Sequence, residues 1–76
     1  AGMLSGVDVL AEIAANVWKI RVEVGAVVEE GDELMILESM KMEIPVEAQT
    51  AGTVSELRVA EKDQVQEGDV LAVIDP

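Results

Sequence analysis

The chain contains two copies of one unit. When the sequence is shifted against itself by 37 positions, Val7–Glu38 aligns with Ile44–Asp75 without a gap, and eleven of the thirty-two pairs are identical. Both copies carry the pattern Glu-Gly-Asp-x-Leu, at 30–34 and at 67–71. A unit this short cannot bury its own apolar face. The duplication therefore predicts a single core shared by two copies that are related by an approximate two-fold axis.

Each copy shows the sequence patterns of short β-strands. Within residues 16–24, positions 18, 20, 22 and 24 are apolar and the positions between them, 19, 21 and 23, are charged. This alternation predicts that four side chains point inward: Trp18, Ile20, Val22 and Val24. The continuously apolar runs Leu34–Leu37 and Val70–Ile74 predict strands near the middle of a sheet, covered on both faces.

Residues 7–13 could form a helical stripe, but a strand is favoured there. The repeat partner of this segment contains Pro45, which would end a helix and is tolerated at the start or the edge of a strand. The Glu-Gly-Asp segments predict tight turns in which Gly31 and Gly68 have positive φ. Each copy then yields about four short strands. The predicted fold is all-β: a flattened two-fold β-barrel, or barrel-sandwich hybrid, of about eight short strands.

The length of 76 residues corresponds to one domain. Residues 1–6 have no partner in the second copy, and we expect them to form a flexible N-terminal segment that is partly an expression remnant before Met3. Residues 7–76 are the predicted domain. No stretch reaches the roughly 18 apolar residues of a membrane span, so we expect a soluble, cytoplasmic chain.

Composition excludes several classes of function. Sixteen acidic residues against five basic ones give a formal charge of −11, which disfavours binding to nucleic acids and to anionic membranes. The chain has no cysteine and no histidine, so a disulfide framework, a thiolate metal site and an imidazole base are excluded. The carboxylates at 29–33 and at 61–63 lack the ligand spacing of a calcium loop. They are interpreted as a solvated face, and no metal site is predicted.

One internal segment, residues 39–43, lies outside the duplication. It joins a strand that ends near Glu38 to one that starts near Met42, so it is predicted to be the tip of a hairpin. The two-fold axis relates this tip to the neighbourhood of the chain termini. In a flat barrel the two would lie at opposite ends, which leaves Lys41 exposed.

The sequence Glu38-Ser39-Met40-Lys41-Met42-Glu43 resembles the Glu-Ala-Met-Lys-Met-Glu motif of the biotinyl domains of biotin-dependent carboxylases, with Ser39 in place of Ala. The resemblance extends from Val7 to Asp75 and includes Gly-Thr-Val-x-x-Leu at 52–57. The chain departs from the family at 14–16 and at 49–51, where the family often has proline. Residues 24–29 also leave no room for the protruding loop found in some bacterial acetyl-CoA carboxylase carriers.

The resemblance implies that Lys41 carries covalent biotin, attached by a biotin protein ligase. It implies that Met40, Met42, Glu38 and Glu43 form the recognition context. The domain would be a carrier with no catalytic residue of its own. Its swinging arm would take a carboxyl group from a biotin carboxylase, which uses ATP and bicarbonate, to a carboxyltransferase.

Other interpretations remain open. A lipoyl carrier domain resembles the same two-fold barrel, although its lysine is usually flanked by Asp and Ala. An unmodified interaction module with this fold is the third hypothesis. Met40 and Met42 could cover the end of the core as gap fillers or serve recognition. Trp18 is expected in the core or at its rim, and the remaining lysines, Lys19 and Lys62, are expected to be ordinary surface charges.

Overall fold

The computed structural model describes residues 6–76. Within this range it consists of strands and loops, and it holds no helix that could cross a membrane. The strands are β1 (Val7–Leu10), β2 (Ala15–Ile20), β3 (Val27–Val28), β4 (Glu33–Ser39), β5 (Met42–Glu47), β6 (Gly52–Leu57), β7 (Gln64–Val65) and β8 (Val70–Asp75). The prediction of an all-β domain with eight short strands is confirmed. Residues 1–5 of the N-terminal segment that was expected to be flexible lie outside the described residues.

The strands form two antiparallel sheets with the orders β1-β8-β6-β3 and β5-β4-β2-β7. Each sheet takes two strands from each copy, and a shift of 37 residues converts every strand of one sheet into its counterpart in the other. The barrel is not closed, so the predicted flattened barrel is a sandwich of two four-stranded sheets. The edge position of β5 fits the presence of Pro45, because an edge strand can lack an N–H on its open side without losing a ladder hydrogen bond.

The core is built mainly from the two inner strands β4 and β8. The larger side chains that are fully buried include Leu34, Met35 and Leu37 from β4, and Leu71 and Ile74 from β8. Burial of such a side chain contributes about 1.5–3 kcal/mol. The predicted central position of both apolar runs is confirmed, since each lies between two neighbours in its sheet.

The predicted alternation in residues 16–24 is wrong at two positions. The pairing of β2 with β4 shifts register between Val17 and Lys19, which is a β-bulge at Trp18. The extra residue reverses the phase of the strand: Val17 is 1% exposed and Trp18 is 40% exposed. Ile20 and Val22 still pack against the core, but Val24 is exposed because β2 has already ended.

Hydrogen bonds that cross from one copy to the other hold the loops in place. The N–H of Ala11 donates to the carbonyl of Asp69 over 2.9 Å, and the N–H of Ala48, its repeat partner, donates to the carbonyl of Asp32 over 2.8 Å. Each copy thus fixes the turn of the other copy. This reciprocal arrangement explains why the turn sequence is retained in both halves.

The two Glu-Gly-Asp turns have the predicted backbone conformation. Gly31 has φ 93° and Gly68 has φ 92°, a region that residues with a side chain rarely adopt. Their N–H groups donate to carbonyls of the other copy, Gly31 to Ala48 and Gly68 to Ala11, each over 2.8 Å. A Cβ atom added at either glycine would meet no heavy atom within 4 Å. The glycines are therefore required by backbone conformation and not by a lack of space.

We expect Gly31→Val and Gly68→Val each to lower the free energy of unfolding by about 1–3 kcal/mol, because valine is strained at this φ. Thermal melts of the two variants measure the effect. A wild-type midpoint for either variant would show that its turn tolerates a side chain.

Lys62 occupies a backbone position that favours glycine. It has φ 81°, and its repeat partner Gly25 has φ 98°. Both residues donate an N–H to the equivalent strand of the other half: Lys62 to Val17 over 2.7 Å and Gly25 to Val54 over 2.8 Å. The duplication thus holds a non-glycine residue in a glycine conformation in its second copy.

We expect Lys62→Gly to raise the free energy of unfolding by about 1 kcal/mol, because it removes the strain of a side chain at positive φ. For a domain of this size the melting midpoint would rise by about 4–8 °C. Gly25→Lys is the matched control, and it should lower the midpoint. An unchanged or lower midpoint for Lys62→Gly would contradict the assignment of strain to this turn.

Candidate functional site

The segment between the copies is a tight hairpin. Strands β4 and β5 pair as far as Ser39 and Met42, which leaves Met40 and Lys41 as a two-residue turn. Met40 has φ 53° and Lys41 has φ 66°. Positive φ at both central residues is typical of a type I′ turn, whose twist matches that of the flanking strands. Such turns usually contain Asn and Gly, so a Met-Lys pair here places strain at the tip.

The side chains of the tip project into solvent. Met40 is 90% exposed, Met42 is 60% exposed, and Lys41 is also exposed. The exposed fraction of Met40 excludes a role in covering the core. Met42 lies on the same strand face as Ile44, which packs against the core, so it covers the end of the core only in part. An exposed apolar pair on either side of a lysine is suited to contact with another molecule.

Two carboxylates stand directly opposite each other at the base of the tip. Glu38 pairs with Glu43 across the hairpin, and both are exposed. Like charges in this arrangement destabilise a sheet, so the pair is not explained by folding. Among the described residues, the ion pairs involve neither Glu38, Glu43 nor Lys41; they are Arg21–Glu33 and Arg58–Glu56. The amine of Lys41 is therefore not held by a carboxylate of this part of the chain.

The hairpin lies at one end of an elongated molecule, whose dimensions are 41 × 19 × 17 Å. Strand β2 begins beside the hairpin, and the chain after it reaches Gly25, which donates its N–H to Val54. Val54 pairs with Ile74, next to the end of the last strand. Lys41 and the last strand's end therefore lie at opposite ends of the molecule, which places the lysine away from any segment attached there.

The acidic clusters outside the hairpin accept hydrogen bonds from backbone N–H groups, both within their own turns and from a neighbouring strand. A carboxylate oxygen of Asp32 accepts from the N–H of Glu29 over 2.9 Å, and one of Asp63 accepts from the N–H of Ala60 over 2.9 Å. A carboxylate oxygen of Glu61 accepts from the N–H of Ile20 over 3.0 Å. Over residues 6–76 no group of three or more Asp and Glu side chains is arranged to hold a metal ion.

The other two lysines lie apart from the tip. The amine of Lys19 is 5.7 Å from the ring centre of Trp18, a distance that permits a cation–π interaction on the outer face of β2. Lys62 lies in the strained turn before β7. Neither lies between exposed methionines.

A cavity beside the tip was not anticipated from the sequence. It has a volume of about 390 Å³, and its lining residues are Ala14, Ala15, Asn16, Glu38, Ser39, Met40, Lys41 and Gln64. Three separate segments of the chain meet there. Their proximity depends on the pairing of β2 with β4 and β7, which no local sequence pattern reports.

Comparison with known proteins identifies the family. A family model described as biotin-requiring enzyme matches residues 7–74. A biotin/lipoyl attachment protein of Bacillus subtilis is 51% identical over 60 residues, which cover 79% of this chain and 82% of that protein. A biotinylated protein TB7.3 homolog of Mycobacterium leprae is 52% identical over 67 residues, which cover 88% of this chain and 94% of that protein. The chain therefore belongs to this biotin-requiring family and is a biotin carrier domain.

Solved structures of much longer enzymes contain the same fold. The urea carboxylase of Kluyveromyces lactis superposes with a TM-score of 0.89 at 33% identity over 99% of this chain, which corresponds to 7% of that enzyme. A single-chain, multi-domain long-chain acyl-CoA carboxylase superposes with a TM-score of 0.85 at 29% identity, and this chain spans 8% of it. The fold thus occurs as a small part of multi-domain carboxylases as well as in proteins of about its own length.

Proposed function

We propose that biotin is attached to the side-chain nitrogen of Lys41 and that the domain carries the biotin between a biotin carboxylase and a carboxyltransferase. The observation that supports this most directly is the position of Lys41. It occupies an exposed, strained two-residue turn at the end of a rigid sandwich, with no carboxylate among the described residues bonded to its amine. These features fit a lysine that must enter the active site of another protein.

The attachment reaction requires a free amine at the tip. In its deprotonated form the nitrogen of Lys41 attacks the acyl carbon of a biotinyl adenylate supplied by a biotin protein ligase. An amide bond forms, the bond from the acyl carbon to the phosphate oxygen breaks, AMP leaves, and the nitrogen loses a proton to the ligase or to solvent. The exposed Met40 and Met42 flank the lysine in the sequence, and together with the Glu38–Glu43 pair at the base of the tip they provide the contact surface for the ligase.

After attachment the domain acts as a carrier and not as a catalyst. When bound, biotin supplies a ureido nitrogen that can accept and release a carboxyl group. The chain contributes the rigid base of the arm. Tethering to such a base raises the local concentration of biotin at a partner site to the order of millimolar for a short flexible link. The carboxylases in which the fold occurs support the two proposed partner activities.

A lipoyl carrier is the second candidate, because one relative is named a biotin/lipoyl attachment protein. The residues on either side of the lysine distinguish the two. Lipoyl domains usually have Asp and Ala there, whereas this chain has Met40 and Met42. The relatives named biotinylated proteins support biotin further.

We expect Lys41 to be the only lysine that accepts biotin when the chain is produced together with a biotin ligase. Lys19 lies on the face of a strand and Lys62 lies in a different turn, so neither presents its amine at the tip of this hairpin. Intact mass and peptide mapping measure the modification. Biotin on Lys19 or Lys62, or lipoate on Lys41, would contradict the proposal.

We expect the double variant Met40→Lys, Lys41→Met to fold normally and to accept biotin much more slowly than the wild type. Both positions have positive φ, so the exchange leaves the same residue types in the same backbone region and preserves net charge. It changes the direction and the height of the amine, because consecutive side chains of a hairpin point differently. A streptavidin-shift time course with purified ligase measures the rate, and circular dichroism checks the fold.

Met42→Leu is the matched control for the exchange. The change nearly conserves volume and should cost little stability. It leaves the lysine in place, so ligation should remain close to the wild-type rate. Rapid and complete biotinylation of the folded exchange variant would show that the ligase accepts a lysine at either position of the turn.

A further inference from the structure

A row of four polar side chains crosses the outer face of one sheet just below the tip. Glu43 pairs with Glu38, Glu38 pairs with Asn16, and Asn16 pairs with Gln64. Side chains of directly paired residues lie on the same face of a sheet, and all four are exposed. The row therefore consists of two carboxylates on the hairpin side and two amides on the far side.

The two amides are available for hydrogen bonding. The side-chain hydrogen bonds found within residues 6–76 involve neither Asn16 nor Gln64. Each amide offers N–H donors and a carbonyl acceptor. Both residues line the cavity beside Lys41. Asn16 pairs with Glu38, which lies three positions or about 10 Å along the strand before Lys41, and Gln64 lies one strand beyond Asn16.

The duplication provides an internal comparison for this pair. At the opposite end of the molecule the equivalent residues are Thr53 and Val27, which pair with each other in the same way. Val27 is 78% exposed, so this position does not need a particular side chain for folding. The amide pair is thus a property of the end that carries Lys41 and not of the repeated unit.

The rest of the cavity is open and mixed in character. Glu38, Ser39 and Lys41 add polar groups, and the exposed Ala14 and Met40 add apolar ones. A ligand that suits this cavity has a urea or amide group on one side and an apolar ring on the other. The bicyclic head of biotin has this character: its urea carbonyl accepts hydrogen bonds, its two urea N–H groups donate them, and its second ring contains sulfur and methylene groups.

We propose that the head of the attached biotin docks in this cavity when it is not in a partner active site. The urea pairs with the amides of Asn16 and Gln64, and the sulfur-containing ring contacts Ala14 and Met40. The inference rests on the proposed attachment at Lys41. Because the cavity is shallow and its polar groups face solvent, the docked head exchanges with free positions and remains able to reach a partner.

The test compares the isotope-labelled chain before and after enzymatic biotinylation by NMR. In the wild type we expect the side-chain NH₂ signals of Asn16 and Gln64 to shift on biotinylation. We also expect nuclear Overhauser contacts between the biotin ring protons and the methyl group of the exposed Ala14. These measurements do not depend on the activity of any carboxylase.

The variant Asn16→Thr, Gln64→Val gives these positions the residues that occupy the equivalent sites of the other copy. We expect it to take up biotin and to lose the ring contacts. The matched control, Thr53→Asn with Val27→Gln, creates an amide pair at the far end and should keep the wild-type contacts. Backbone amide spectra show whether each variant is folded. If a variant is not folded, the comparison of the wild type before and after biotinylation decides the proposal.

Two outcomes overturn the proposal in distinguishable ways. If the mass shows biotin on Lys41 but the signal shifts remain within residues 39–43 and no ring contacts are seen, docking is wrong while the carrier function stands. If the chain takes up no biotin, or takes it up on another lysine, the proposed attachment fails and the docking fails with it.

Discussion

Neither copy of this chain can bury its own inner strand, and this constraint shapes the whole domain. Strand β4 of the first copy lies between β2 of the same copy and β5 of the other, and β8 lies in the same way between β6 and β1. The large side chains of these two inner strands fill one core, with the repeat partners Leu34 and Leu71 both fully buried. Since every sheet contains both copies, half of the chain could not fold to this structure alone.

The shared core gives the hairpin a fixed base, and this base tolerates strain at the tip. Met40 and Lys41 have positive φ although neither is Gly or Asn, and Glu38 faces Glu43. Neither feature helps folding. Strained or destabilising features persist where the surrounding structure determines the conformation, and they are concentrated at functional sites. A rigid tip with exposed side chains is also what a ligase needs if it selects a lysine by position.

The two ends of the molecule have the same strand pairing but different side chains. At the end with Lys41 the paired residues Asn16 and Gln64 are amides, and at the other end their counterparts are Thr53 and Val27. Attachment of biotin through Lys41 would also change the charge of the tip. The amide has no positive charge, so the formal charge would change from −11 to −12 and the tip would keep only its carboxylates. A partner that binds the modified form therefore meets a more acidic surface than the ligase does.

The sequence by itself determined the duplication, the all-β class, the apolar inner strands, the turn glycines and the lysine between the copies, because periodicity and turn chemistry are local properties. It predicted the wrong face for Trp18, since a β-bulge becomes visible only when the register of β2 against β4 is known. The positive φ of Met40 and Lys41 could not be foreseen either, because neither residue type favours it. The tertiary structure alone decided that Asn16 and Gln64 lie beside Lys41, for their proximity depends on pairing between strands that are distant in the chain.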